Sequence, residues 1–221
     1  MEPEFWHQRW QENQIGFHQD EFNPQLQRWW KTLELDDNAS VFLPLCGKSR
    51  DMLWLAQQGF QVTGIEISPL AVEAFFAEND LPATTQPVGE NLSLWRAGNI
   101  ALYCGDFFDL SAERLTSIDA VFDRAALVAL PKTMRQRYVE HLAAILPEHV
   151  RMLLVTMEYP QQQMDGPPFS VPETEVRQHY EAHWPVTRLE ENDALAAQPG
   201  FARRGLSSLI EKTFHIGRPQ S

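Results

Sequence analysis

Apolar and polar positions alternate most clearly between residues 41 and 66, VFLPLCGKSRDMLWLAQQGFQVTGIE. Val41–Leu45 is a continuous apolar run, which predicts a strand buried on both faces. A turn carrying Gly47 follows. Met52, Leu53, Leu55 and Ala56 then recur at helical spacing within Ser49–Gln58, and Gly59 closes the segment. Val62–Ile67 is a second apolar run with an acid, Glu66, near its end. Strand, glycine turn, helix, strand and carboxylate make one βαβ unit.

The rhythm continues down the chain. Ser68 stands at an N-cap position with Pro69 at the first helical position, ahead of a helix through Ala71, Val72, Phe75 and Phe76. Residues 81–99 interrupt the pattern with two prolines, two glycines and no helical period, which predicts an insertion near the ligand edge of the sheet. Within and after it, Leu92–Arg96 and Ile100–Cys104 flank Ala97-Gly98-Asn99 and predict a β-hairpin. Ala120–Phe122 is a short strand ending in Asp123-Arg124, and Pro131 opens a helix containing Met134, Tyr138, Leu142 and Ile145. Val150–Met157 is the most apolar strand of all and belongs at the sheet centre. A proline-rich loop, Met164–Pro172, precedes a helix around Glu173–His183, and Ser207–Ile216 alternates as an antiparallel closing strand. The pattern is that of one α/β domain spanning 1–221.

Composition narrows the chemistry. The net charge of −12, with no block of lysine and arginine, argues against a nucleic-acid surface. No apolar run approaches 18 residues, and MEPEFWHQRW has neither a basic nor an apolar leader region. Cys46 and Cys104 are the only cysteines, consistent with reduced thiols in a cytoplasm. Nothing demands more than a monomer. The first 30 residues hold four of the seven tryptophans, with Trp6 and Trp10 on one helix face. They predict either a helix docked on the core or an aromatic lid over a pocket.

In an open α/β sheet, ligands bind at the carboxyl edge of the strands, and an acid about 20 residues beyond a glycine turn bonds ribose hydroxyls. Gly47 and Glu66 are 19 apart. The turn, PLCGKS, is neither G-x-G-x-x-G nor a P-loop, because Phe42 stands where the first P-loop glycine is needed. A phosphate-free adenosine cofactor such as S-adenosylmethionine therefore fits better than a dinucleotide. Asp106 and Phe107 follow the Ile100–Cys104 strand and are candidates for binding and stacking on adenine. Asp106 can equally be a helix cap. Arg124, at the centre of the same edge, is the candidate for orienting or polarising the substrate through its planar donor fork. His179 and His183 have i, i+4 spacing but match no metal motif, so no metal is expected.

These blocks, taken together, resemble the thiopurine S-methyltransferases, a small class I methyltransferase family. The resemblance rests on FWHQRW…GFHQ, on FLPLCGKSRDMLWLAQQGFQVTGIEIS, on GDFFDL, FDRAALVAL and GPPFSVP in that order, and on LIEKTFHI. It implies a Rossmann-like sheet of seven strands, mostly parallel with the last antiparallel, helices on both faces, and residues 1–30 closing over S-adenosylmethionine. By position it implies cofactor contacts at Trp10, Leu45, Glu66 and Arg124, with Trp6, Phe17, Gly47, Asp106 and Phe107 as further lining. It places Phe17, Arg124, Pro167 and Pro168 near a small-molecule acceptor: a thiopurine-like or other aromatic thiol, or a selenium or tellurium species, with tellurite resistance as a possible consequence. One departure stands out: animal members carry a second substrate-side arginine where this chain has Gly200, with Arg203 and Arg204 close by. The rival readings are a nicotinamide-dependent oxidoreductase and a non-catalytic adenosine-binding module. A nucleic-acid methyltransferase is disfavoured because Asp123-Arg124-Ala125-Ala126 replaces the Asn/Asp-Pro-Pro-Tyr/Phe motif.

Overall fold

Helix α1 (Pro3–Gln11) opens a computed structural model that describes residues 3–217. Helix α2 (Pro24–Trp29) follows, capped by Asn23, whose Oδ1 accepts from the amides of Gln25 (3.0 Å) and Leu26 (3.1 Å). The alternating units are β1 (Ser40–Leu43), α3 (Asp51–Gln57), β2 (Gln61–Glu66) and α4 (Pro69–Glu78). A meander of β3 (Thr84–Val88), β4 (Leu92–Ala97) and β5 (Ile100–Cys104) comes next. Then follow β6 (Ala120–Asp123), α5 (Ala126–Ala129), α6 (Lys132–Ile145), β7 (Arg151–Glu158), α7 (Glu173–Tyr180), β8 (Val186–Asp193), α8 (Pro199–Arg203) and β9 (Ile210–Ile216).

The sheet order is β3-β4-β5-β2-β1-β6-β7-β9-β8. From β5 to β8 this is the expected seven-stranded layout: β5, β2, β1, β6 and β7 are parallel, and β9 runs antiparallel between β7 and β8. The sheet has nine strands rather than seven because the expected hairpin gains β3 and both strands extend the β5 edge. The side chains of β3 are mostly exposed, so it shows none of the apolar alternation that marks the central strands. β8, VTRLEEND, is equally polar and equally hidden in the sequence. It lies at the opposite edge and carries a bulge between Arg188 and Glu190.

The period of two explains the layers. Phe42, Val121, Met152 and Leu154 face one core with Tyr138, Leu142 and Phe214. Their neighbours Val41, Leu43, Phe122, Leu153 and Val155 face the other, with Leu26, Leu55 and Phe75. Fully burying each such side chain is worth about 1.5–3 kcal/mol. A smaller cluster of Tyr159, Met164, Leu206 and Leu209 ties the loop after β7 to the segment before β9. The central strands of this arrangement end along one edge, beside a large cavity.

Candidate functional site

The chain turns sharply after β1. Leu45 has φ +47° and Gly47 has φ +54°, both left-handed. A left-handed non-glycine residue costs about 1–2 kcal/mol, so the strain at Leu45 is concentrated at this turn. Gly47 is required twice over, by its φ and because a Cβ there would stand 3.2 Å from Trp10 Cζ2. Gly47→Ala is expected to cost about 1–2 kcal/mol in urea unfolding and to push the Trp10 ring outward, weakening ligand binding.

Glu66, at the end of β2, locks the turn. The Gly47 amide donates to its Oε2 (2.9 Å) and the Ser68 amide to its Oε1 (2.9 Å). Ser68 occupies the expected cap position in an extended conformation, but its side chain does not cap α4. Burial pushes the Glu66 carboxyl up to about 7, against the amide bonds that favour its charged form. The Ile67 amide also favours the charged form, so of the roughly four acceptor positions of a carboxylate at least one remains for a ligand's hydroxyls.

Arg124 follows β6. It makes no hydrogen bond or ion pair with the described residues, and it lines the cavity. Burial lowers its pKa, while Asp51 and Glu211 oppose that shift from a distance. The turn that carries it is fixed by Asp123, whose Oδ1 accepts from Ala126 N (3.1 Å) and Leu127 N (3.3 Å) and whose Oδ2 accepts from Tyr138 Oη (2.7 Å). Burial raises Asp123 to about 6. Tyr138→Phe strips Oδ2 of its donor in a site only 2% exposed, and a loss of about 1–3 kcal/mol is expected in thermal or urea unfolding.

Two further segments close the cavity of about 540 Å³. None of the α1 residues is buried in the core. Instead Trp6, Trp10 and Phe17 line the cavity, with Phe17 edge-on to Trp6 (5.7 Å) and to Trp10 (5.6 Å). The aromatic side chains of α1 thus meet the cavity rather than the core. His18 also lines the cavity, held below its usual pKa by burial and by Lys48. On the other side Pro167 and Pro168 belong to a pinned loop: Tyr159 Oη donates to Pro168 O (2.6 Å) and Phe169 N donates to Val128 O (2.7 Å). The buried Arg135 donates to Ser170 O (3.2 Å) and Glu175 Oε1 (2.8 Å).

Of the residues singled out in the sequence, Trp6, Trp10, Phe17, Leu45, Gly47, Glu66, Arg124, Pro167 and Pro168 all border this cavity. Asp106 and Phe107 do not. Asp106 caps the short turn after β5, accepting from Phe108 N (2.9 Å). Phe107 turns inward against Tyr138 (5.1 Å) and His141 (4.9 Å) and is 5% exposed. Burying the ring in the core has prevailed over leaving it as a platform for a base. Arg204 borders the cavity, whereas Arg203 does not.

Sequence reasoning missed Asp51 and Glu211, both on the cavity wall. Glu211 begins an antiparallel strand, so its register opposite Met157 brings a strand start to the edge where the other strands end. An acid at the first positions of LIEKTFHI was the available signal. Among the described residues no helix is long and apolar enough to cross a membrane.

Comparison with known proteins accords with this arrangement. A family model described as thiopurine S-methyltransferase matches residues 1–219. The thiopurine S-methyltransferase of Nitrosospira multiformis is 49% identical over 214 residues, covering 97% of each chain. That of Pseudomonas entomophila is 50% identical over 218 residues, covering 99% of this chain and 100% of the relative. Among solved structures, a SAM-dependent methyltransferase from Anabaena variabilis superposes with a TM-score of 0.65 at 13% identity, covering 98% of this chain and 94% of that one. Burkholderia thailandensis 1,6-didemethyltoxoflavin-N1-methyltransferase, solved with 1,6-didemethyltoxoflavin and S-adenosylhomocysteine, gives 0.60 at 16% identity, covering 98% and 87%. At such identities the two structures speak for the fold alone.

Proposed function

Because this chain belongs to the thiopurine S-methyltransferase family, we propose that its methyl acceptor is the sulfur of a thiopurine-like or other aromatic or heterocyclic thiol, with selenium and tellurium species as further acceptors. S-adenosylmethionine dependence comes with the family, and it removes the nicotinamide reading. The cofactor suits the residues present: Glu66 keeps free acceptor positions for ribose, and the turn has a single glycine with no cradle for phosphates.

Glu66 would hold the ribose, and the Leu45–Gly47 turn would line the methionine end. Trp6, Trp10 and Phe17 would cover the bound cofactor and exclude water. When bound, S-adenosylmethionine supplies an electrophilic methyl group on a sulfonium. Arg124 would hold an anionic sulfur in line with that methyl. Pro167, Pro168 and Phe17 would wall the acceptor ring. Positioning of this kind is worth about 7–11 kcal/mol of barrier. No strong general base is needed for an acceptor that arrives as a thiolate.

The observation that carries this reading is a guanidinium without a protein partner at the middle of the cavity edge, between acids at either end. The test is a panel of acceptors with S-adenosylmethionine: mercaptopurine, thiophenol, an aliphatic thiol, selenite and tellurite, followed by the rate of S-adenosylhomocysteine formation. Turnover of the aromatic and heterocyclic thiols is expected. Cofactor binding with no turnover of any acceptor would leave a non-catalytic cofactor-binding module.

A further inference from the structure

His18 lies in the segment between α1 and α2, and the reading above gives it no role. It directly follows Phe17, and both line the cavity. Its side chain is 14% exposed, and its Nε2 stands 3.6 Å from the carboxylate of Asp20, which is 97% exposed. Neither ring nitrogen makes a hydrogen bond with the described residues. A carboxylate beside Nε2 favours the tautomer with the proton on Nε2, which leaves the lone pair on Nδ1. Four charges act on the ring: Lys48 from the glycine turn, Glu78 from α4, Arg124 from the end of β6 and Asp20 from its own segment. Burial above all, joined by the two cations, outweighs the two acids, so the imidazole is neutral at neutral pH.

The other groups on the cavity wall that could take a proton are already engaged or are unsuited. Glu66 holds the Gly47 and Ser68 amides. Asp51 accepts from the Asn23 amide (2.7 Å) and the Ser49 hydroxyl (3.0 Å). Glu211 accepts from Gln25 Nε2, and the Gln198 side chain also bonds its carboxyl. Burial keeps the Cys46 thiol protonated. His18 is left as a neutral base with an uncommitted lone pair, enclosed enough to escape full hydration and close enough to the surface to pass a proton out.

We infer that His18 is a catalytic residue, the proton acceptor that lets this site use a thiol arriving protonated. The inference rests on the sulfur-acceptor reading above and extends it to thiols too weakly acidic to arrive as thiolates. The S–H proton passes to Nδ1. The electron pair of that bond forms the new sulfur–methyl bond, and the pair of the breaking methyl–sulfonium bond stays on the cofactor sulfur. His18 thus gains the positive charge that the sulfonium loses, so the cavity carries the same charge before and after. The Nε2 proton then leaves past Asp20 to solvent. Assistance of this kind is worth about 100- to 10,000-fold in rate.

The experiment compares two ring-bearing thiols in the wild type and in His18→Gln: 4-nitrothiophenol, a thiolate at neutral pH, and phenylmethanethiol, which stays protonated there. The readouts are kcat/KM for each across pH and S-adenosylhomocysteine affinity by titration. At neutral pH the variant should lose about 100-fold or more with phenylmethanethiol and less than about threefold with 4-nitrothiophenol. Raising the pH toward the thiol's own pKa should close the gap, because the acceptor then ionises without help. Added imidazole should restore part of the phenylmethanethiol rate in His18→Ala. Cofactor affinity should stay within about threefold, since His18 acts on the proton and not on the cofactor. Equal losses with both thiols, the mark of a merely structural role, would overturn the inference. So would no loss with either, or a wild type that methylates 4-nitrothiophenol alone. If the wild type binds S-adenosylhomocysteine yet methylates neither thiol, the sulfur-acceptor reading itself has failed and the role of His18 falls with it.

Discussion

Replacing Glu66 by alanine is expected to weaken S-adenosylhomocysteine binding by at least about 100-fold, the largest loss of any single substitution at the cofactor end. Both carboxylate oxygens already hold a backbone amide, from Gly47 and Ser68. The remaining acceptor capacity would take the ribose hydroxyls. Hydrogen bonds to a charged group are worth about 1.5–3 kcal/mol each, and a 100-fold change is about 2.8 kcal/mol. Alanine also frees the two amides that set the glycine turn, so the turn loosens as the ligand contact goes. Glu66→Gln should fall between the two, because it keeps one carbonyl acceptor. Isothermal titration measures all three proteins.

The same residue predicts a pH dependence. Its carboxyl is raised by burial to about 7 in the free protein. Ribose hydroxyls donate to the charged form, so binding favours the carboxylate and lowers its pKa in the complex. Affinity should therefore be flat above pH 7 and should fall as pH drops below it, approaching tenfold per unit. Binding below pH 7 should release a proton, visible as a dependence of the titration enthalpy on the buffer. Glu66→Gln should abolish both effects.

Arg124→Ala is expected to lower kcat/KM for a thiolate acceptor by about 100- to 1,000-fold, or about 3–4 kcal/mol, a size typical of removing one preorganised donor from a reacting anion. More than one hydrogen bond is involved. Asp51 and Glu211 also face the cavity, and Arg124 is the cation on which both act. Without it the cavity is less favourable to an anionic acceptor. The fold should survive, because Arg124 has no hydrogen-bond partner among the described residues to leave unsatisfied. Arg124→Lys should recover only part of the loss, since an ammonium keeps the charge but not the planar fork. Steady-state kinetics, with the melting temperature as control, provide the check.

How much of this could be read from the residues depends on burial. β1, β2 and β7 were legible because both faces of each strand are covered, which forces continuous apolar runs such as VRMLLVTM. β3 and β8 were not, because strands at the two edges of the sheet need no apolar face. Glu66 and Arg124 stood out because polar residues at the ends of apolar strands have few other reasons to be there. Phe107 was misplaced because an aromatic residue just past a strand can turn either way, and here the Tyr138–His141 side offered the larger burial. Glu211 was overlooked because ligand edges are read from strand ends, and an antiparallel strand brings its start to that edge. The placement of α1 is something no single residue displays: its aromatic face meets the cavity, and none of its residues enters the core.

The proposed reaction puts an acceptor sulfur between Arg124 and the methyl donor, so the atom that receives the methyl group is the most direct test. The protein would be incubated with S-adenosylmethionine carrying a carbon-13 methyl group and with mercaptopurine, and the product examined by NMR. The account predicts label on sulfur, with the carbon shift of a thioether methyl. Label on a ring nitrogen, or none despite bound cofactor, would contradict it.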